Sequence, residues 1–181
     1  MGTRSLTCVY LDNEYKVAQY GQFDGYPDGK GIELLEFIKS ILYDGKDSFL
    51  EKLRQCSWIT EDETKQMTAA DLKNEYPAVY LDGGRDVLEA INEGRAKKLR
   101  NALPFAADSL MCEWGYVIDF DKNVFEVYRG FNDSKELNPV HDRFAFLKEF
   151  ERENYHGIKI VKSWSLDSLP SNEDFLREFK D

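Results

Sequence analysis

Two strand pairs, one early and one late in the chain, most constrain its fold. Residues 6–11 and 15–22 have strand character and are joined by the tight turn Asp12-Asn13-Glu14. Residues 110–120 alternate apolar side chains, and residues 124–129 follow after a short turn. Strands joined by such short turns pair antiparallel. The sequence therefore predicts two β-hairpins.

Helical patterns and one further strand fill the rest of the chain. Helices are predicted over residues 32–43, 48–55, 84–92, 144–153 and 171–180. A capping box at Thr60 and Glu63 predicts the start of another helix, and residues 71–75 predict a short helical turn. One further strand is predicted over residues 158–164. Hairpins segregated from helices are typical of the α+β class. We expect a mainly antiparallel sheet of about five strands, two hairpins plus one strand, with helices packed on it. The absence of a long linker predicts a single domain over residues 1–181.

Composition narrows the possible functions. The 181 residues carry a formal net charge of -10, which argues against nucleic-acid binding and against binding to anionic membranes. The three cysteines are widely spaced without a CxxC motif, and no apolar run is long enough for a membrane span. These features predict a cytoplasmic protein without a metal site.

The segment from Gln22 to Gly31 is the strongest candidate for a binding site. Residues 20–31 contain four glycines, two carboxylates and a lysine between a predicted strand and a predicted helix. A loop of this kind at a helix start can surround a small anionic ligand with backbone N–H groups. We expect a pocket for a small polar, nucleotide-like ligand, bound by Arg4, Gln22, Tyr26, Gly29, Lys30 and Gly31. The sequence leaves the cofactor unassigned.

Two familiar loop motifs fit this segment poorly. A P-loop needs one more residue before Gly-Lys and then Ser or Thr, where this chain has Gly31. An EF-hand loop matches at Asp24, Asp28 and Gly29 but fails at Tyr26, and a strand precedes it in place of a helix. The loop therefore indicates a ligand site without a known motif.

A second candidate site depends on how the hairpins lie. If both share one sheet, Arg4, Asp24, Asp108 and Glu113 could converge at one end of it. Glu113 and Arg4 would then form an ion pair, either structural or functional. Asp24, Asp108 and Glu113 could alternatively serve as acid and base in a hydrolase or lyase. An N-terminal-nucleophile layout with Thr3 and a partner-binding module without a small ligand stay open as further alternatives.

Three motifs carry a resemblance to a known family. They are Met1-Gly2-Thr3-Arg4, the segment Gln22-Phe23-Asp24-Gly25-Tyr26-Pro27-Asp28-Gly29-Lys30-Gly31, and Phe105-Ala106-Ala107-Asp108-Ser109-Leu110-Met111-Cys112-Glu113-Trp114. Together they resemble a family of small, mostly uncharacterised proteins of fungi, bacteria and their mobile elements. The resemblance implies kinship without an established reaction. In a mobile element, such a domain would be expected to sequester a signalling nucleotide.

Overall fold

The computed structural model describes residues 2–70, 87–133 and 143–180. The strands are β1 (Ser5–Leu11), β2 (Glu14–Gly21), β3 (Ser57–Trp58), β4 (Lys98–Leu99), β5 (Trp114–Asp119), β6 (Val124–Arg129) and β7 (Lys159–Ser165). The α-helices are α1 (Ile32–Asp44), α2 (Asp47–Arg54), α3 (Glu61–Gln66), α4 (Val87–Asn92) and α5 (Asn172–Arg177). The predicted turn at 71–75 and the start of the helix predicted over 84–92 lie outside the described residues.

The main sheet has five strands in the order β2-β1-β5-β6-β7. The pairs β1–β2, β5–β6 and β6–β7 are antiparallel, whereas β1 and β5 are parallel. The α+β class and the mostly antiparallel pairing are confirmed, but the sheet is mixed. The long connection through α1–α4 leads from β2 at the sheet edge to β5 on the other side of β1. Such a connection permits the parallel pair of β1 and β5, because parallel neighbours cannot be joined by a tight turn.

The first hairpin forms through its local turn chemistry. Asp12 and Asn13 have φ values of 54° and 63°, and Leu11 pairs with Glu14 across the two-residue loop. Two consecutive positive φ values are typical of the type I′ turn, whose twist matches that of the paired strands. Asp and Asn tolerate this conformation better than most residues do. The turn therefore sets the register of Tyr10 and Leu11, and a β-bulge between Val9 and Tyr10 shifts the register of the rest of the hairpin.

Both faces of the sheet are covered by apolar packing. On one face, α1, α2, α4 and α5 bury side chains such as Leu35, Phe49, Ile91 and Phe175 against the sheet. On the other face, two 3₁₀-helical segments, Leu103–Ala107 and Ala145–Phe150, cover a second cluster. Every residue of β5 is consequently buried, as expected for a central strand between two layers. None of the described helices is long and apolar enough to cross a membrane.

Three predicted elements, those over 110–120, 144–153 and 171–180, are shorter than the sequence suggested. The strand predicted over 110–120 begins at Trp114, because the N–H of Cys112 donates to Asp108 O at 2.8 Å and holds residues 109–112 in a turn. The helix predicted over 144–153 is the 3₁₀ segment Ala145–Phe150. Helix α5 starts as predicted, because Ser171 Oγ accepts the N–H of Asp174 at 3.1 Å.

Candidate functional site

The loop from Gln22 to Gly31 closes on itself through backbone hydrogen bonds. Pro27–Gly31 forms a single π-helical turn that continues into α1. The N–H of Lys30 donates to Asp24 O at 2.8 Å, and those of Gly29 and Gly31 donate to Tyr26 O at 3.1 and 3.2 Å. In this structure the three amides expected to face a ligand therefore have partners inside the loop.

The loop glycines are required by close packing. A Cβ on Gly29 would lie 2.5 Å from Asp24 O, and one on Gly25 would lie 2.7 Å from Thr3 O. A Cβ on Gly31 would lie 2.9 Å from the Phe175 ring. No larger side chain fits these positions without displacing backbone or core atoms. Internal packing thus accounts for three of the four glycines in residues 20–31.

The polar side chains of the loop divide between interior and surface. Lys30 is buried, and its Nζ lies 2.8 Å from Glu33 Oε2. Gln22 accepts a hydrogen bond from the Tyr20 hydroxyl. Tyr26 is half exposed, and it lines a neighbouring groove. Of the predicted ligand-binding residues, Tyr26 is the one that lines this groove.

The groove, called here the Tyr26 groove, lies between the loop, β5–β7 and the C-terminal segment. Its cavity volume is about 520 Å³. Its lining includes the aromatic residues Tyr26, Trp114 and Phe179 and the cations Arg129, Lys162 and Lys180. A pocket of this volume matches the usual range for small-molecule sites, about 300–1,000 Å³. The groove is therefore the site beside the loop that can hold a ligand.

Cross-strand pairing places the groove's central side chains. Trp114 of β5 is opposite Arg129 of β6, and the guanidinium carbon of Arg129 lies 5.5 Å from the centre of the Trp114 ring. Phe179 meets Trp114 edge to face with ring centres 5.8 Å apart. Such contacts hold the aromatic rings and the guanidinium in fixed relative positions. The strand register thus builds one wall of the groove.

The groove carries more positive than negative side chains, whereas the whole chain is acidic. Among the described residues, three cations line it against two carboxylates, Asp28 and Glu178. Lys162 Nζ lies 2.7 Å from Glu178 Oε2, whereas Arg129 has no ion pair with any described carboxylate. Because the whole chain carries a net charge of -10, this lining is a local cationic exception. It favours an anionic ligand over a cationic one.

The second predicted site is present in part. Arg4 bonds Glu113 Oε1 through its backbone N–H at 3.2 Å and through Nη2 at 3.3 Å, so the predicted pair exists. Asp108 instead pairs with Arg152, whose Nε lies 2.6 Å from Oδ2. Among the described residues, the Asp24 carboxylate makes no hydrogen bond or ion pair with Asp108 or Glu113. Separate arginine partners are the arrangement expected of structural ion pairs.

Two other kinds of chemistry considered for this chain are nucleophilic attack by Thr3 and metal binding. Thr3 is buried, and its carbonyl accepts the N–H of Gly25 at 3.0 Å, which ties the N-terminal segment to the loop. Within residues 2–70, 87–133 and 143–180, no three His, Cys, Asp or Glu side chains come together in a way that could hold a metal ion.

Most of the residues that line the groove were not identified from the sequence. Trp114 and Arg129 could have been paired from the predicted hairpin, because both lie at the open end of its two strands. Lys162, Phe179 and Lys180 reach the groove only through the packing of α5 beside β7. Because this packing brings together elements that are separate in the sequence, no local sequence pattern predicts it.

Comparisons of the chain with protein-family models, with curated proteins and with solved structures found no match. The resemblance carried by the three motifs therefore stays a prediction.

Proposed function

We propose that the protein is a binding domain for a small nucleotide-like anion, with the Tyr26 groove as its site. The observation that carries the proposal is the presence of three aromatic side chains and three cations in one groove beside the Gln22–Gly31 loop. Aromatic rings stack on planar bases, and Arg and Lys bind phosphate through charge-assisted hydrogen bonds. A nucleotide combines these two chemical features in one molecule.

The groove offers both kinds of contact. Tyr26 is half exposed, which leaves its ring accessible to a planar ligand group. Arg129 and Lys180 supply charge for a phosphate, while Glu178 already neutralises Lys162. Asp28 can accept a hydrogen bond from a sugar hydroxyl. In the mobile-element setting that the resemblance implies, the role would be sequestration of a signalling nucleotide.

Calorimetric titration of the full chain with adenosine 5′-monophosphate, cyclic adenosine monophosphate and the corresponding guanine nucleotides tests the proposal. We expect saturable binding of at least one nucleotide, with adenosine and ribose 5-phosphate each binding more weakly because each lacks one of the two groups. Binding of none of the nucleotides would overturn the proposal.

Arg129→Gln is the matching protein variant. It should weaken nucleotide binding roughly tenfold, because a charge-assisted hydrogen bond is lost. Lys148→Gln is the control, since Lys148 is an exposed lysine in the 3₁₀ segment on the other face of the sheet. Equal affinity of Arg129→Gln and wild type would place the ligand elsewhere.

A further inference from the structure

A second cavity of about 650 Å³ lies at the outer edge of β2. It is bordered by Ile59 and α3 on one side and by the residues that follow β4 on the other. Ala102 is held there because its N–H donates to Ala18 O at 2.8 Å. Among the described residues, none lines both this cavity and the Tyr26 groove. The cavity is therefore independent of the site proposed above.

Gln19 gives this cavity a buried polar group that lacks a partner. Its side chain is only 4% exposed, and Nε2 donates to Tyr20 O at 3.3 Å. Among the described residues, no donor reaches Gln19 Oε1. A carbonyl oxygen only accepts, so the amide nitrogen must face Tyr20 O, and the oxygen is the atom left over. An unpaired buried acceptor is costly, which favours a donor brought by a ligand.

The chemistry of the lining selects the kind of donor. A cationic ligand group beside Gln19 would need a buried negative partner. The carboxylate of Glu61 does not serve, because its side chain is 93% exposed at the rim of the cavity. A neutral N–H group suits Gln19 Oε1 better. Ile59 and Ala102 offer apolar contact. The described lining has two cations, Lys65 and Arg100, against one carboxylate, Glu61, whose Oε2 is 3.9 Å from Lys65 Nζ, so an excess of positive charge attracts an anionic group.

We propose that this cavity, named the Gln19 cavity, binds a small molecule that carries a neutral amide N–H next to an anionic group. The amide N–H donates to Gln19 Oε1, and the anionic group lies toward Lys65 and Arg100. An N-acylated amino acid has this combination of groups.

Nuclear magnetic resonance titration of the full ¹⁵N-labelled chain with N-acetylglycine tests the proposal. We expect saturable shifts of the Gln19 side-chain amide signals. N-acetylsarcosine keeps the carboxylate but carries a methyl group in place of the N–H, so it should bind about tenfold more weakly. Equal affinity for the two compounds, or no shift at Gln19 with N-acetylglycine, would overturn the proposal.

Gln19→Met tests the acceptor itself, because methionine has a similar length without the amide. The variant should bind the two compounds equally. Gln66→Met is the control, since Gln66 is exposed on the neighbouring α3 and does not line the cavity. Preference of Gln19→Met for N-acetylglycine, as in wild type, would contradict the role of Gln19. If Gln19→Met does not fold, the two compounds on the wild-type chain still decide.

Discussion

Arg143 donates through Nη2 to Asp119 Oδ2 at 2.7 Å, and the Asp119 side chain is completely buried. Its Nε also donates to Glu126 Oε2 at 2.8 Å, and the hydroxyl of Tyr128 donates to the same carboxylate. Burial by itself lowers the pKa of Arg143, but hydrogen bonds and charge from Glu126 and Asp119 raise it overall. One guanidinium therefore ties the neighbouring strands β5 and β6 to the 3₁₀ layer.

Replacing Arg143 should be among the most destabilising polar changes. Arg143→Met leaves two buried carboxylates without their cation, so we expect a loss of about 3–5 kcal/mol in the free energy of unfolding. Urea denaturation measures the effect. Arg177→Met is the control, because Arg177 forms exposed pairs with Glu173 and Asp174 and should cost under about 1 kcal/mol. Similar losses for the two variants would contradict a structural role of the buried network.

Acid should release the cap of α3 through Glu63. A hydrogen bond from the Thr60 backbone N–H, followed by one from Lys98, lowers the pKa of Glu63 from 4.5 to about 2. Since the folded value lies below the unfolded one, this contribution to stability is complete above pH 4.5 and is lost as the pH falls toward 2. A ¹³C titration of the Glu63 carboxyl group measures its midpoint.

The partners of Glu63 can be separated by substitution. Lys98→Met should raise the midpoint, because Lys98 Nζ lies 2.9 Å from Glu63 Oε1. Lys97→Met should not change it, since Lys97 is an exposed neighbour with no ion pair to Glu63. A midpoint near 4.5 in wild type would show that the capping box does not persist in solution.

The glycine at position 29 should serve the fold more than the ligand. Gly29→Ala pushes a Cβ against the Asp24 carbonyl, 2.5 Å away, and should cost about 1–3 kcal/mol in the free energy of unfolding. Gly157→Ala is the control, because its nearest atom, Ala106 O, is 3.3 Å away and needs to move only slightly. A Gly29→Ala variant as stable as wild type that loses nucleotide binding would instead assign this glycine to the ligand.

Local patterns predicted the parts of the structure that local chemistry determines. The Asp12-Asn13 turn and the Thr60–Glu63 capping box depend on residues a few positions apart, and both formed as expected. The Arg4–Glu113 pair was also predicted, on the assumption that both hairpins share one sheet, which brings the residues before β1 and β5 together.

The remaining features depend on contacts between distant elements. β1 and β5 lie on either side of the helical block in the sequence, so no turn motif predicts their parallel pairing. The groove likewise needs Phe179 to pack against Trp114, and that contact depends on where α5 lies. Burial of Lys30 was missed because its partner Glu33 is in the following helix, where it reads as an ordinary surface residue.

The Arg4–Glu113 pair distinguishes a structural from a catalytic use of the sheet end. Glu113 accepts from both the backbone and the side chain of Arg4, and both side chains are about one-fifth exposed. A double-mutant cycle with Arg4→Met and Glu113→Gln should give a coupling of about 1 kcal/mol in the free energy of unfolding, typical of a partly exposed pair. Nucleotide affinity should stay unchanged in Glu113→Gln, because Glu113 does not line the Tyr26 groove. A stable Glu113→Gln variant that abolished turnover of a bound ligand would establish acid–base chemistry at this residue and contradict its structural role.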